Sequence, residues 1–281
     1  MTFGIRFATC FPLILWLLAL TLPVLASADE IEQRFAHLAN LRPFSEAQKN
    51  AEKSNALAEC EVAAHYYAGV GVKQNINECL VWLRKSVDDG NIIAQSFGGV
   101  LSMMQSNYTD AVVYFRKAAD QGDAMSQMQV ARCYHEGWGV QQDKTEALKW
   151  TEKAANQGKV EAEFLAGMQY YVGLDVKADE KKGIEWIEKA ANQGEPAALH
   201  YLSAAYYLGR GKPQDYLQAY IWELVFVDSS RIMIPDDAES LRARIADVEQ
   251  KLTPEQIKKG KAEAQKLKNR LSKLPRYSAT D

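Results

Sequence analysis

Four histidines, three cysteines beyond residue 28 and a series of Gly-x-Gly turns are the groups in these 281 residues that could do chemistry. Histidine and cysteine hold metals, or act as base and nucleophile, when they cluster at defined spacing. His37, His65, His135 and His200 lie in separate segments, and none has a partner at a ligand spacing such as H-E-x-x-H. No G-x-S-x-G element or related nucleophile motif is present. A dinucleotide loop needs G-x-G-x-x-G between a strand and a helix. Here the pair recurs, as Gly69-Val70-Gly71, Gly137-Trp138-Gly139 and Gly209-Arg210-Gly211, with Gly173-Leu174-Asp175 as a variant. Each lies between two helical patterns, so the pairs read as structural turns. The sequence therefore predicts no catalytic residue, no metal and no cofactor. Cys79 takes a small inward position, either as a substitute for alanine or bridged to Cys60 on a paired helix, which would leave Cys133 free.

The elements that carry these residues repeat. Four segments end alike, with KSVDDG at Gly90, KAADQG at Gly122 and KAANQG at Gly158 and Gly194, at intervals of 32, 36 and 36 residues. The Gly-x-Gly turn recurs in phase with them, and the short repeat has lost it. Each unit reads as two helices. The first (helix A) carries Ala162, Ala166, Gly167 and Tyr170 at helical spacing, and the second (helix B) carries Ala147, Trp150, Ala154 and Ala155. Small residues let the helices approach closely, and the closing glycine suits a left-handed C′ position. No unit buries its apolar face alone, so the units must stack.

The pattern A-x-x-x-[LA]-G-x-x-Y-x-x-G-x-G-V followed by D-x-x-[KE]-A-x-x-W-x-x-K-A-A-x-x-G resembles the Sel-like repeat (SLR) of the tetratricopeptide superfamily. Residues 143–158, DKTEALKWTEKAANQG, match it almost throughout. Residues 215–230 match its last-repeat form, and 252–267 resemble the terminal helix of secreted bacterial members. Departures are the degenerate second unit, Asp175 for glycine, and Cys79 and Gly183 where alanine is usual. The resemblance implies an all-α, right-handed superhelical solenoid of about five two-helix repeats with helical caps. It also implies protein–protein interaction, since family members act as regulators, assembly adaptors or host-contact factors. Some secreted members have a disulfide in every repeat and are linked to β-lactams. This chain lacks that cysteine framework, so a cell-wall-related or β-lactam-hydrolysing enzyme is the alternative rather than the reading.

The expected organisation follows. Residues 1–28 read as a signal peptide: Arg6, the apolar stretch from Phe11 to Leu22, and Ala26-Ser27-Ala28 where a peptidase would cut. That stretch is shorter than the ~20 residues of a spanning helix, and no other segment could span a membrane. Residues 29–55 form an N-terminal cap with helical patches at Ile31–Leu41 and Ser45–Lys53. Repeats occupy about 56–90, 91–122, 123–158, 159–194 and 195–230. Residues 231–281 form C-terminal capping helices, one opening at Pro235-Asp236 and one at Thr253-Pro254 with Gln256 at N3. The last of these is basic: 251–276 hold nine Lys/Arg against Glu255 and Glu263, in a chain of formal net charge −3. That overall charge argues against a general nucleic-acid binder. The basic segment reads as a solvated cap face, or as a weak contact with an anionic surface.

The expected functional surface is the inner face of the A helices, where a peptide or protein partner would lie. Aligning the repeat tyrosines at 66, 134, 170 and 206 places Tyr67, His135, Tyr171 and Tyr207 next to them. Arg132 and Met168 fall two residues before that tyrosine, and Phe164 and His200 one turn further back. This aromatic and polar stripe could stack on an extended peptide; the same tyrosines could instead pack between repeats. The sequence thus predicts an exported, non-enzymatic interaction scaffold, periplasmic or secreted.

Overall fold

Asn75, Asn107, Asp143 and Asp179 each accept a hydrogen bond from a backbone N–H two or three residues on, and each starts a 13-residue helix. Asparagine and aspartate in this position satisfy donors that the first helical turn leaves unpaired, worth about 1 kcal/mol apiece. A computed structural model describes residues 28–173, 176–230 and 238–274. Residues 1–27, Asp175 and Pro235-Asp236 lie outside it, and with them nearly all of the expected signal peptide. All regular elements among the described residues are helical.

The chain divides after Gln157 into two compact units. The first opens with helix α1 (residues 28–37), a 3-10 turn (Leu38–Asn40) and α2 (Phe44–Ala51). Three helix pairs follow: α3 (Ala56–Ala68) with α4 (Ile76–Asp88), α5 (Ile92–Met104) with α6 (Tyr108–Asp120), and α7 (Ala124–Glu136) with α8 (Lys144–Asn156). Each pair packs internally and against its neighbour, burying one core that includes Phe97, Phe115, Val130 and Trp150. The second unit holds α9 (Val160–Val172) with α10 (Glu180–Asn192), and α11 (Pro196–Leu208) with α12 (Tyr216–Ser230). Helices α13 (Ala238–Glu249) and α14 (Pro254–Leu271) follow and pack on α12. Thr253 and Gln256 form the expected capping box at the start of α14. Each unit is a stack of two-helix repeats, the solenoid principle that the period requires.

The Gly-x-Gly turns join the two helices of a repeat. Gly137 ends α7 in the left-handed conformation, and its N–H returns to the Cys133 carbonyl. Gly139, at φ +68°, lies so close to α6 that a Cβ there would fall 2.2 Å from the Tyr108 carbonyl oxygen. The second glycine therefore lets the turn rest on the preceding repeat. In the short repeat the turn between the two helices has no glycine, and Ser106 takes the left-handed place at φ 59°. Gly183, a departure from the family's alanine, faces α9: a Cβ would lie 2.5 Å from the Tyr171 amide nitrogen.

In three repeats a part-buried glutamine contact ties the helix-B end to helix A. Gln121 donates to Gln95 at 2.7 Å, Gln157 to Gln127 at 2.8 Å and Gln193 to Glu163 at 2.8 Å. The first repeat has Glu59 near Asp89, and burial, reinforced by that second carboxylate, raises the Glu59 pKa.

Candidate functional site

In the first unit the A helices α3, α5 and α7 present the face on which α1 lies. The apolar stripe of α1, Ile31 and Phe35, is fully buried, with Leu38 and Ala39 of the following turn nearly so. This is the i, i+4, i+7, i+8 spacing of one helical face. Phe35 stacks on Phe97 of α5 with ring centroids 3.8 Å apart, and meets Tyr67 of α3 edge-on at 5.8 Å. Polar groups fix the rest. The Tyr67 hydroxyl donates to the Glu32 carboxylate, and burial with this neighbour pushes its pKa up to about 12. Arg34 donates to the Ser96 hydroxyl of α5 at 2.9 Å and to Asp123, which caps α7, at 2.7 Å. Of the expected stripe residues in this unit, Tyr67 is thus engaged by α1. Arg132 and His135 on α7 are half-buried, with Arg132 over the Trp138 ring at 4.3 Å and His135 Nδ1 3.1 Å from Glu136.

In the second unit, helix α13 lies against α11 and α12. Tyr207 of α11 donates to Asp247 of α13 at 2.5 Å. Arg244 of α13 donates to His200 Nδ1 of α11 at 3.0 Å and pairs with Glu223 of α12. Burial, and then the Arg244 charge, push the His200 pKa down to about 3, so the ring is a neutral acceptor. The remaining stripe residues lie inside: Phe164, Met168 and Tyr171 are at most 5% exposed. Tyr171 packs edge-on to Tyr201 of the next repeat, and Arg210 covers it at 4.7 Å. Phe164 and Tyr171 both meet Tyr201 of the next repeat and Met168 is buried beside them in sequence, a difference that helical spacing alone does not reveal.

Among the described residues, no group of His, Cys, Asp and Glu could hold a metal ion. His37 is exposed; His65 is buried, with Nδ1 2.6 Å from the Val70 carbonyl and Nε2 3.0 Å from that of Arg42. Cys60, Cys79 and Cys133 are buried free thiols, so the Cys60–Cys79 bridge is not formed in this structure. Each fills a core position of its helix. Burial pushes the thiol pKa up to about 12 at Cys79 and about 11 at Cys133, and raises that of Cys60, which disfavours the thiolate at all three. Sequence reasoning missed Glu32, Arg34, Arg244 and Asp247, the residues that α1 and α13 bring to the A helices. Their only sequence signal was the amphipathic pattern of the two caps.

The family model of the Sel1 repeat matches this chain at residues 56–91, 96–123, 124–159, 160–195 and 196–222. Among solved structures, a Sel1 repeat protein from Oxalobacter formigenes is 25% identical, with a TM-score of 0.58 over 83% of this chain and 98% of that one. The Escherichia coli protein c5321, described as a protective antigen of uropathogenic strains with an SLR fold, is 25% identical at a TM-score of 0.45. That match covers 90% of this chain and 65% of c5321. The immunity protein Pa5087 from Pseudomonas aeruginosa is 20% identical at a TM-score of 0.38, covering 72% of this chain and 81% of that one. No curated protein matches the chain.

Proposed function

The chain belongs to the Sel1 repeat family, and from that premise we propose that it is an exported, non-enzymatic scaffold that binds a protein partner on its A helices. Sel1 repeats generally mediate protein interactions and are generally non-catalytic. The observation that carries the reading is the chemistry of the A helices, whose Tyr67 and Tyr207 each hold another helix by the hydroxyl. A surface that seats helices through aromatic packing and a few charge-assisted bonds has what recognition of a partner segment needs. Export rests on the basic residue, apolar stretch and small-residue site of residues 1–28. The test is crosslinking capture from envelope extract and culture medium with the mature chain, beside an Arg132→Ala/His135→Ala variant. The expected result is a specific protein captured by the native chain and lost with the variant. A partner retained by the variant places binding elsewhere, and turnover of cell-wall or β-lactam substrates would overturn the non-enzymatic reading.

A second surface has its own observation. Helix α14 packs through Gly260 and Ala264 and leaves Lys258, Lys259, Lys266, Arg270 and Lys273 exposed on or just beyond it. That row suits weak contact with an anionic surface.

A further inference from the structure

The two helices that lie against A helices come from opposite ends of the chain, yet they use the same grammar. Tyr67 and Tyr207 are both the twelfth residue of a 13-residue helix A, and each donates its hydroxyl to a carboxylate on the seated helix, Glu32 or Asp247. Ser96 and His200 are both the fifth residue, and each accepts from an arginine on the seated helix, Arg34 or Arg244. The acid precedes the arginine in α1 and follows it in α13. Helix α1 draws these positions from two adjacent A helices, Tyr67 of α3 and Ser96 of α5, whereas α13 draws both from α11. What they share is amphipathic helical form, a carboxylate for position twelve and a guanidinium for position five.

We infer that the helix-A face of the first unit is a receptor for an amphipathic helix carrying such an acid–arginine pair, and that α1 is a tethered copy of that ligand already seated there. The inference rests on the interaction reading above and names its partner's chemistry: a helix with an apolar stripe, an aromatic residue beside the arginine, and an acid two or three residues away. Such a partner binds by displacing α1. Its apparent affinity is reduced by the fraction of time that α1 stays seated, so whatever loosens α1 strengthens binding. The complement is electrostatic as well as apolar: Asp123 meets the incoming arginine, and the Tyr67 hydroxyl meets the acid.

The probe is a fluorescein-labelled peptide of residues 29–42, added to the mature full-length chain and followed by anisotropy. An Arg34→Ala/Phe35→Ala chain, with its own α1 weakened, should bind the peptide about tenfold or more tighter than the native chain. A peptide carrying Glu32→Ala and Arg34→Ala should not bind. Equal binding by both chains, or none by a variant with native helical content, overturns the proposal. Hydrogen exchange on the native chain is a second measurement independent of the variant. Residues 29–40 should exchange about tenfold or more faster than α3 and α5, by separate opening; exchange in one step with those helices overturns displacement. Dimerisation of the native chain through exchanged α1 would make a second copy the occupant and overturn the partner named here. Neither assay uses a cellular partner, so failure here and failure of the capture experiment are distinguishable.

Discussion

Tyr207 donates its hydroxyl to Asp247 at 2.5 Å, joining helix α11 of the last repeat to the capping helix α13. Both groups lie at the edge of a half-wet contact, with Lys251 close to the same carboxylate at 3.5 Å. Burial, followed by the Asp247 hydrogen bond, raises the Tyr207 pKa, so the phenol stays a donor throughout the physiological range.

Tyr207→Phe removes this donor and leaves the ring packing in place. The expected cost is about 1 kcal/mol, the usual net worth of one such bond. It should appear as faster hydrogen exchange in α13, with protection of α9 and α10 unchanged. Unchanged protection in α13 would show that Arg244 and the apolar contacts hold the helix without this bond.

Glu163 occupies the place that Gln95 and Gln127 take in earlier repeats, and it accepts from Gln193 at 2.8 Å. Burial raises its pKa, opposed by the Gln193 bond and by Lys189. A carboxyl whose folded pKa is raised stabilises the fold below its unfolded pKa, near 4.5, and loses that contribution as pH rises through the folded value. Glu163→Gln keeps the acceptor oxygen without the charge. The variant should be more stable than the native chain at pH 7–8, with the difference vanishing below about pH 4. A difference that grows toward acid would reverse the sign of this argument.

Gly139 has both a left-handed φ of +68° and no room for a Cβ beside Tyr108. Gly139→Ala should lower the stability of the first unit by about 1–3 kcal/mol, measured by urea unfolding. A neutral substitution would mean that the turn does not rest on α6.

The exposed lysines of α14 predict attachment to vesicles containing anionic lipid at low salt, with most of it lost at high salt as charges are screened. Lys258→Gln/Lys266→Gln should weaken it further. Attachment that ignores salt would rule out an electrostatic contact.

Much of this architecture was legible in the sequence, because a repeat prints its local physics several times over. The closing glycines marked the helix-B ends, and Thr253-Pro254 with Gln256 marked the start of α14. The surface was less legible. Helical spacing placed Tyr67 and Tyr171 alike, but Tyr67 meets Glu32 of α1, whereas Tyr171 is sealed by Tyr201 and Arg210. Which neighbour covers a helix face is a long-range matter, and no periodicity within the repeat encodes it. The same holds for Arg34, which reaches Asp123 across 89 residues of chain.

The central claim is that the A helices carry the partner surface. Its most direct test is a photoreactive residue placed in living cells at position 125 or 135 on α7, and separately at position 152 on α8. The account predicts one and the same protein adduct from both α7 positions and none from α8. An adduct formed from position 152 while both α7 positions stay silent would contradict it.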